Sequence, residues 1–352
     1  MQTSERHSTT ERSVLAFALK LALTGGAFYL LLAHPVRTES GDTVVAWQAI
    51  RDYLPNIDPA RFWCFTLAAF AIKVIGIAAS MLRWAVLLRG QGMVFPAWHL
   101  FTTFLIGRFL GTFLPSTIGL DGYKFYDAVR FTGRTVEVAA ATVVEKIVGF
   151  VGIFLTFLVT LPLGYGLLGD RARLVAWVTV PTAAVLGAAL LLIVLYPRVV
   201  SAALSRVPLL RRPNVRQWLD KIETASGAYR RQKSLLGAAT LLSFLVHFCT
   251  AAMYYFTALA IGAQQAHFWE VAMASTIQIF ATVLAPFTIA GEGVREIVQA
   301  LLLAHRIGAS QSILSAALGF WAAEAPTLIG GVFYILRRPD YHPSVHFVAD
   351  NK

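Results

Sequence analysis

Pro115-Ser116-Thr117-Ile118-Gly119-Leu120-Asp121-Gly122-Tyr123-Lys124 and Pro286-Phe287-Thr288-Ile289-Ala290-Gly291-Glu292-Gly293-Val294-Arg295 are two versions of one ten-residue pattern. Proline, threonine, isoleucine and a glycine recur in register, and the acid and the base keep their signs. The offset is 171 residues (286 − 115), and it also pairs Ile106 with Ile277 and Phe109 with Phe280, so the match extends upstream of the motif. Such self-similarity at a fixed offset indicates a chain made of two copies of one unit. Both copies break apolar sequence with helix breakers and charge, as in transporter folds whose discontinuous helices meet at a central site.

Working outward, 57% of the residues are apolar and 14% charged, a composition that excludes an ordinary water-soluble surface and indicates a polytopic membrane protein. Leu174 to Pro197 runs 24 residues without a charge and Ile147 to Leu163 runs 17, lengths that fit a bilayer core. The stretch Val14 to Ala33 follows a polar start and contains Lys20, which favours a retained span over a cleaved signal. Cys64 and Cys249 fall in apolar stretches without metal-ligand spacing and read as packing residues.

The net charge of +11 is not spread as a nucleic-acid-binding surface. Between Pro197 and Ser234, nine Lys and Arg stand against Asp220 and Glu223, a local charge of +7 (9 − 2). The positive-inside rule makes this loop, residues 198–233, cytoplasmic, and its basic face suits anionic lipid headgroups. No nucleic-acid partner is expected. Counting from that loop gives a cytoplasmic tail 1–13, a first unit 14–162 with spans 14–34, 62–88 and 136–162, and a second unit 173–336 with spans 173–197, 235–261 and 308–336. A cytoplasmic tail, 337–352, follows. Arg83, Arg89, Arg337 and Arg338 then lie at cytoplasmic ends.

Two apolar pieces remain, and each runs into the duplicated motif: 98–130 and 268–305. Read as complete crossings they put Arg337 and Arg338 outside, so they are read as re-entrant hairpins. The expected fold is an all-α polytopic membrane protein built as an inverted repeat of two units, each three spans plus one hairpin. Complete crossings with other turns near Asp121 and Glu292 remain the alternative.

Within the hairpins, Pro115 and Pro286 end one half-helix, and Gly119, Gly122, Gly291 and Gly293 let the backbone turn. Polar backbone freed at membrane depth requires protein or a wet cavity around it, so the motif loops are read as cavity walls. Asp121 and Glu292 fall near the start of the next half-helix, where a carboxylate suits the dipole. Lys124 and Arg295 follow one turn later, placing acid and base within pairing distance, with ligand contact the open alternative. Further charges lie where the bilayer makes them expensive: Lys73, Arg108, Glu145, Lys146 and Glu324. A structural pair such as Lys73 with Glu145 explains such burial equally well. His247, among apolar neighbours, reads as an interhelical hydrogen-bonding residue.

Leu114-Pro115-Ser116-Thr117-Ile118-Gly119-Leu120-Asp121, Val144-Glu145-Lys146 and Gly291-Glu292-Gly293-Val294-Arg295-Glu296 resemble the transmembrane region of lysylphosphatidylglycerol synthases and their stand-alone, flippase-like relatives, over about residues 14–338. That resemblance implies a flippase fold with inverted repeats, re-entrant hairpins and charged motif residues in a central cavity, without the soluble aminoacyl-transfer domain. Here Lys146 stands where the family usually has arginine, and a lysine lacks the planar bidentate grip on phosphate.

The resulting expectation is a non-enzymatic lipid flippase of the bacterial inner (cytoplasmic) membrane, acting on a phospholipid or polyprenyl-type lipid. Lys73, Arg108, Lys124, Lys146 and Arg295 would admit a polar or anionic headgroup, while Asp121, Glu145, Glu292, Glu296 and Glu324 compensate them and carry any coupling proton. No catalytic residue, metal or cofactor is expected, and no nucleotide-binding Gly-rich lysine motif appears. Assembly into homo-oligomers is left open. Two alternatives are a transferase acting on a lipid carrier through Asp42, Asp52 or Asp58, and a non-transporting partner anchored through loop 198–233.

Overall fold

The computed structural model describes residues 29–37, 43–113, 117–171, 227–229, 231–284 and 294–337, with isolated positions in 22–26 and 177–188. Pro115, Pro286, Gly291, Glu292 and Gly293, the tails 1–13 and 338–352, most of spans 14–34 and 173–197 and most of loop 198–233 therefore lie outside the described residues. Among the described residues the chain is helical apart from two three-residue strands, β1 (Pro35–Arg37) and β2 (Thr43–Val45), which pair antiparallel with Val36 opposite Val44.

The helices are α1 (Ala46–Tyr53), α2 (Pro59–Gly90), α3 (Ala97–Phe113), α4 (Thr117–Thr132), α5 (Thr135–Leu163), α6 (Lys233–Ala260), α7 (Phe268–Leu284), α8 (Val294–Ile307) and α9 (Ala309–Leu336). Four of them, α2, α5, α6 and α9, are long and apolar enough to cross a membrane. At a rise of about 1.5 Å per residue, their 28 to 32 residues span more than the roughly 30 Å hydrocarbon core. Leu67, Ile75, Leu82, Leu241, Trp321 and Ile335 are exposed on them, an apolar outer surface suited to lipid rather than water.

Local signals account for the boundaries. Asp58 accepts a hydrogen bond from the Ala60 amide at 2.9 Å, and Pro59 occupies the first turn, so α2 has a capped, pre-set start. This cap also accounts for Asp58, a residue considered above for transferase chemistry. Gly133 and Gly308, with φ of 70° and 91°, make the left-handed links from α4 into α5 and from α8 into α9. Non-glycine residues rarely adopt that conformation.

Each apolar piece that ends in the motif contains two described helices, α3 and α4 in the first, α7 and α8 in the second. The 171-residue offset carries α3 onto α7 at both ends (97 + 171 = 268; 113 + 171 = 284). Gly119 and Gly122, expected to break the helix, lie inside α4, and neither has a positive φ. Gly119 is instead needed small: a Cβ there falls 2.6 Å from the Gly111 Cα and 2.7 Å from the Leu110 carbonyl, so the two arms of the hairpin close on each other at this point. Gly122 faces open space.

Helix α2 packs along α6, and α5 and α9 flank that pair. Helix α3 packs on α4 and α9, and α7 packs on α8 and α5. The bundle has two distinguishable ends. At one, Tyr229 donates to the Leu87 carbonyl (2.6 Å) and Gln232 to the Gly90 carbonyl (3.0 Å), tying the end of loop 198–233 to the end of α2. At the other, Tyr53 donates to the Ile261 carbonyl (2.7 Å). Small residues allow the close crossings: at Gly330 an added Cβ falls 2.1 Å from the Leu105 carbonyl, and at Gly319 2.3 Å from the Tyr254 ring.

Candidate functional site: charges buried within the bundle

Glu145 on α5 is the hub of the first charge cluster. One of its oxygens accepts from Lys124 on α4 at 2.7 Å and the other from Arg83 on α2 at 3.3 Å. Arg83 continues to Ser243 on α6 at 2.6 Å, so one carboxylate links four helices. Lys124 also lies 4.8 Å over the Trp84 ring and 5.5 Å over that of Phe104, so its charge is compensated by a carboxylate and two ring faces. Asp121 pairs with Lys124 at 3.8 Å and with Lys146 on α5. It does not cap α4, whose first turn contains no acid. Within this set Lys124 is almost fully enclosed, at 2% exposure, whereas Lys146 is 41% exposed. Only the latter is open enough to meet a ligand without rearrangement.

The second cluster joins both halves of the chain. Arg108 on α3 reaches Glu324 on α9 at 3.6 Å and donates to the Ala323 carbonyl at 3.3 Å. Glu324 also accepts from Thr112 at 3.3 Å. Arg108 and Glu324 are each 18% exposed, and the Arg108 Nε is buried without a hydrogen-bond partner. Lys73 on α2 donates to Thr250 on α6 at 3.4 Å and lies within electrostatic reach of Arg108, Glu324 and Arg295. The expected Lys73–Glu145 pair is thus not formed. Lys73 belongs to the Glu324 cluster, because ten residues along α2, about 15 Å at 1.5 Å each, separate it from Arg83, which takes the place beside Glu145.

Arg295, at the start of α8, sits 5.4 Å over the Phe320 ring of α9. Its counterpart Lys124, at the 171-residue offset, likewise sits over aromatic rings. Glu296 is buried, and together with Arg295 and Glu324 it acts electrostatically on Tyr254 of α6. The Tyr254 hydroxyl accepts from Gln278 (2.7 Å), whose carbonyl oxygen accepts from Gln299 (2.8 Å), so a polar chain runs across α6, α7 and α8. His247 on α6 is half-buried, and its Nε2 has no hydrogen-bond partner.

A third cluster went unrecognised in the sequence. Asp127, fully buried at the end of α4, accepts from Arg337 at the end of α9, from Thr103 (2.7 Å) and pairs with His99 (2.7 Å), both on α3. Arg337 also donates to Thr102 and to Thr103. The opposite end of the bundle has a similar clasp: Arg306 on α8 pairs with Glu270 on α7 at 2.8 Å and donates to the Gly166 carbonyl, just after α5, at 2.7 Å. In one clasp α3 and α4 are tied to the end of α9, and in the other α7 and α8 to the end of α5. Arg83 and Arg337 were legible only as topology-setting arginines, and nothing in the sequence near Asp127 marks it as an acceptor.

No curated protein and no solved structure matches the chain. A family description does match, the lysylphosphatidylglycerol synthase TM region, over residues 17–330, which takes in both motif copies and the first two charge clusters. The chain is an integral membrane protein that belongs to the lysylphosphatidylglycerol synthase transmembrane-region family.

Proposed function

We propose that the protein moves a lipid with a polar or anionic headgroup between leaflets, as a flippase built from an inverted repeat with two re-entrant hairpins. The observation that carries this reading is the Lys73–Arg108–Arg295–Glu324 cluster. It brings three cations and the acid Glu324, drawn from helices of both halves, together inside the bundle, with buried Glu296 next to Arg295. Ionisable residues at that depth are expensive unless they serve a path or one another. Arg108 supplies a planar fork suited to a phosphate. The headgroup would pass along these cations while its chains stay in the bilayer. No bond is made or broken, so the protein is proposed to act as a transporter and not as an enzyme.

The packing supports the repeat. Exchanging α2 with α6, α3 with α7, α4 with α8 and α5 with α9 turns every helix contact among these eight into another contact that is present. The base of hairpin α3–α4 lies at the Arg337 end and that of α7–α8 at the Arg306 end, as opposite entry requires. Membership of a family tied to lipid chemistry supports a lipid substrate.

Liposomes holding the purified protein and a labelled phospholipid or polyprenyl-phosphate lipid test the reading by leaflet exchange. The native protein is expected to accelerate exchange of one class, and Arg108→Ala and Arg295→Ala to remove the acceleration while the protein stays folded. Equal rates with and without protein for both classes overturn it.

A further inference from the structure

Two cavities adjoin at the bundle end that carries the Arg306 clasp, and their linings differ in kind. One, of about 640 Å³, runs between Leu30, Leu31 and Val36 and the α8 face formed by Ile297, Ala300 and Leu301. The other, of about 420 Å³, is bordered by Gln264, Gln265, Arg306 and Gln311. Ala304 and His305 line both, so the chambers meet at one turn of α8. Both volumes fall in the roughly 300–1,000 Å³ range of small-molecule sites. Leu30 and Leu301, which line the apolar chamber, are 67% and 75% exposed, so that side opens onto the surface assigned to the bilayer.

We propose that these chambers form one binding site for a phospholipid, with an acyl chain along the apolar groove and the phosphodiester in the polar pocket. The polar lining is dominated by N–H donors: a guanidinium, an imidazole and three primary amides. Both Arg306 contacts, to Glu270 and to the Gly166 carbonyl, fall on Nη2, which fixes the side chain while Nε and Nη1 stay outside those bonds. A guanidinium held in this way suits phosphate oxygens. The bond to Glu270 balances the charge, so the pocket would hold phosphodiester oxygens by hydrogen bonds from Arg306 and its neighbours more than by net positive charge. Its role as the docking place of the transported lipid, on the side away from loop 198–233, rests on the transport reading, whereas occupancy by lipid does not.

The test uses the full-length protein in phosphatidylcholine liposomes containing a trace of phosphatidylglycerol with a photoactivatable group in one acyl chain, with labelled peptides mapped by mass spectrometry. Label is expected on residues 30–36 and 297–304. Ala300→Trp, which fills the groove, is expected to cut that label about tenfold, equivalent to about 1.4 kcal/mol. His305→Ala is expected to weaken it with the fold intact. Label spread evenly over exposed faces such as Leu241 and Trp321, label confined to contacts between two protein copies, or indifference to Ala300→Trp overturns the site. Equal labelling by a photoactivatable glycosyl diacylglycerol, which lacks phosphate, overturns the phosphodiester assignment. Leaflet exchange measured on the same samples separates the two readings: label without exchange removes the transport function and keeps the site, and exchange without label does the reverse.

Discussion

Replacing Glu145 by glutamine removes the acid from a site where it serves Lys124 at 2.7 Å and Arg83 at 3.3 Å, with side chains only 5%, 2% and 11% exposed. At an effective dielectric constant near 20, unit charges about 3 Å apart attract by roughly 5–6 kcal/mol, most of it offset by desolvation. What decides the outcome is the group left behind. The cluster holds Arg83, Lys124 and Lys146 against Glu145 and Asp121, a net charge of +1 (3 − 2). Glu145→Gln raises this to +2 with both cations still buried, and breaking a buried pair in this way costs about 3–5 kcal/mol. Lys124→Met takes the cluster to zero and keeps an unbranched side chain against Trp84 and Phe104, so its cost is smaller. Lys124→Met is therefore expected to restore part of the stability lost in Glu145→Gln. Thermal unfolding in detergent, followed by size-exclusion chromatography, provides the readout for the single and double variants. If Glu145→Gln unfolds with the native protein, or if the double variant is no more stable than Glu145→Gln, the compensation argument is wrong.

Arg337→Ala removes the cation from fully buried Asp127 and is expected to destabilise the protein by about 3 kcal/mol; Asp127→Asn in that background should recover part of it, read by the same unfolding assay. Gly330→Ala drives a Cβ to 2.1 Å from the Leu105 carbonyl, which forces α9 off α3 and costs at least about 1–3 kcal/mol. Gly122→Ala meets open space inside α4 and is expected to be neutral or stabilising by up to about 1 kcal/mol; a loss of folded protein would show that this glycine has a role outside the helix. Asp58→Ala removes the cap of α2 and is expected to lower stability by about 1 kcal/mol, measurable as a small downward shift in unfolding temperature.

The long helices were readable in the chain because length and hydropathy are local. Pro59–Gly90 and Ala309–Leu336 are predominantly apolar sequence, and any such stretch in a bilayer must satisfy its own backbone as helix. The duplicated motif was readable for the same reason, and its offset carries α3 onto α7. Misreadings arose where a residue's role depended on its neighbour in space. Gly119 suggested a turn and is a close contact between α3 and α4. Asp121 forms the pair with Lys124 that one-turn spacing suggested, but does not cap α4 and also meets Lys146, which spacing did not show.

Composition and spacing alone thus determined the membrane class and the helical stretches, since each follows from how a short segment of chain meets lipid. Tertiary structure alone decided which charges share a site. Arg83 meets Ser243 across 160 residues and Asp127 meets Arg337 across 210, and a buried charge takes whatever counter-charge packing brings within about 4 Å. That separation is a property of the bundle and not of any stretch of sequence.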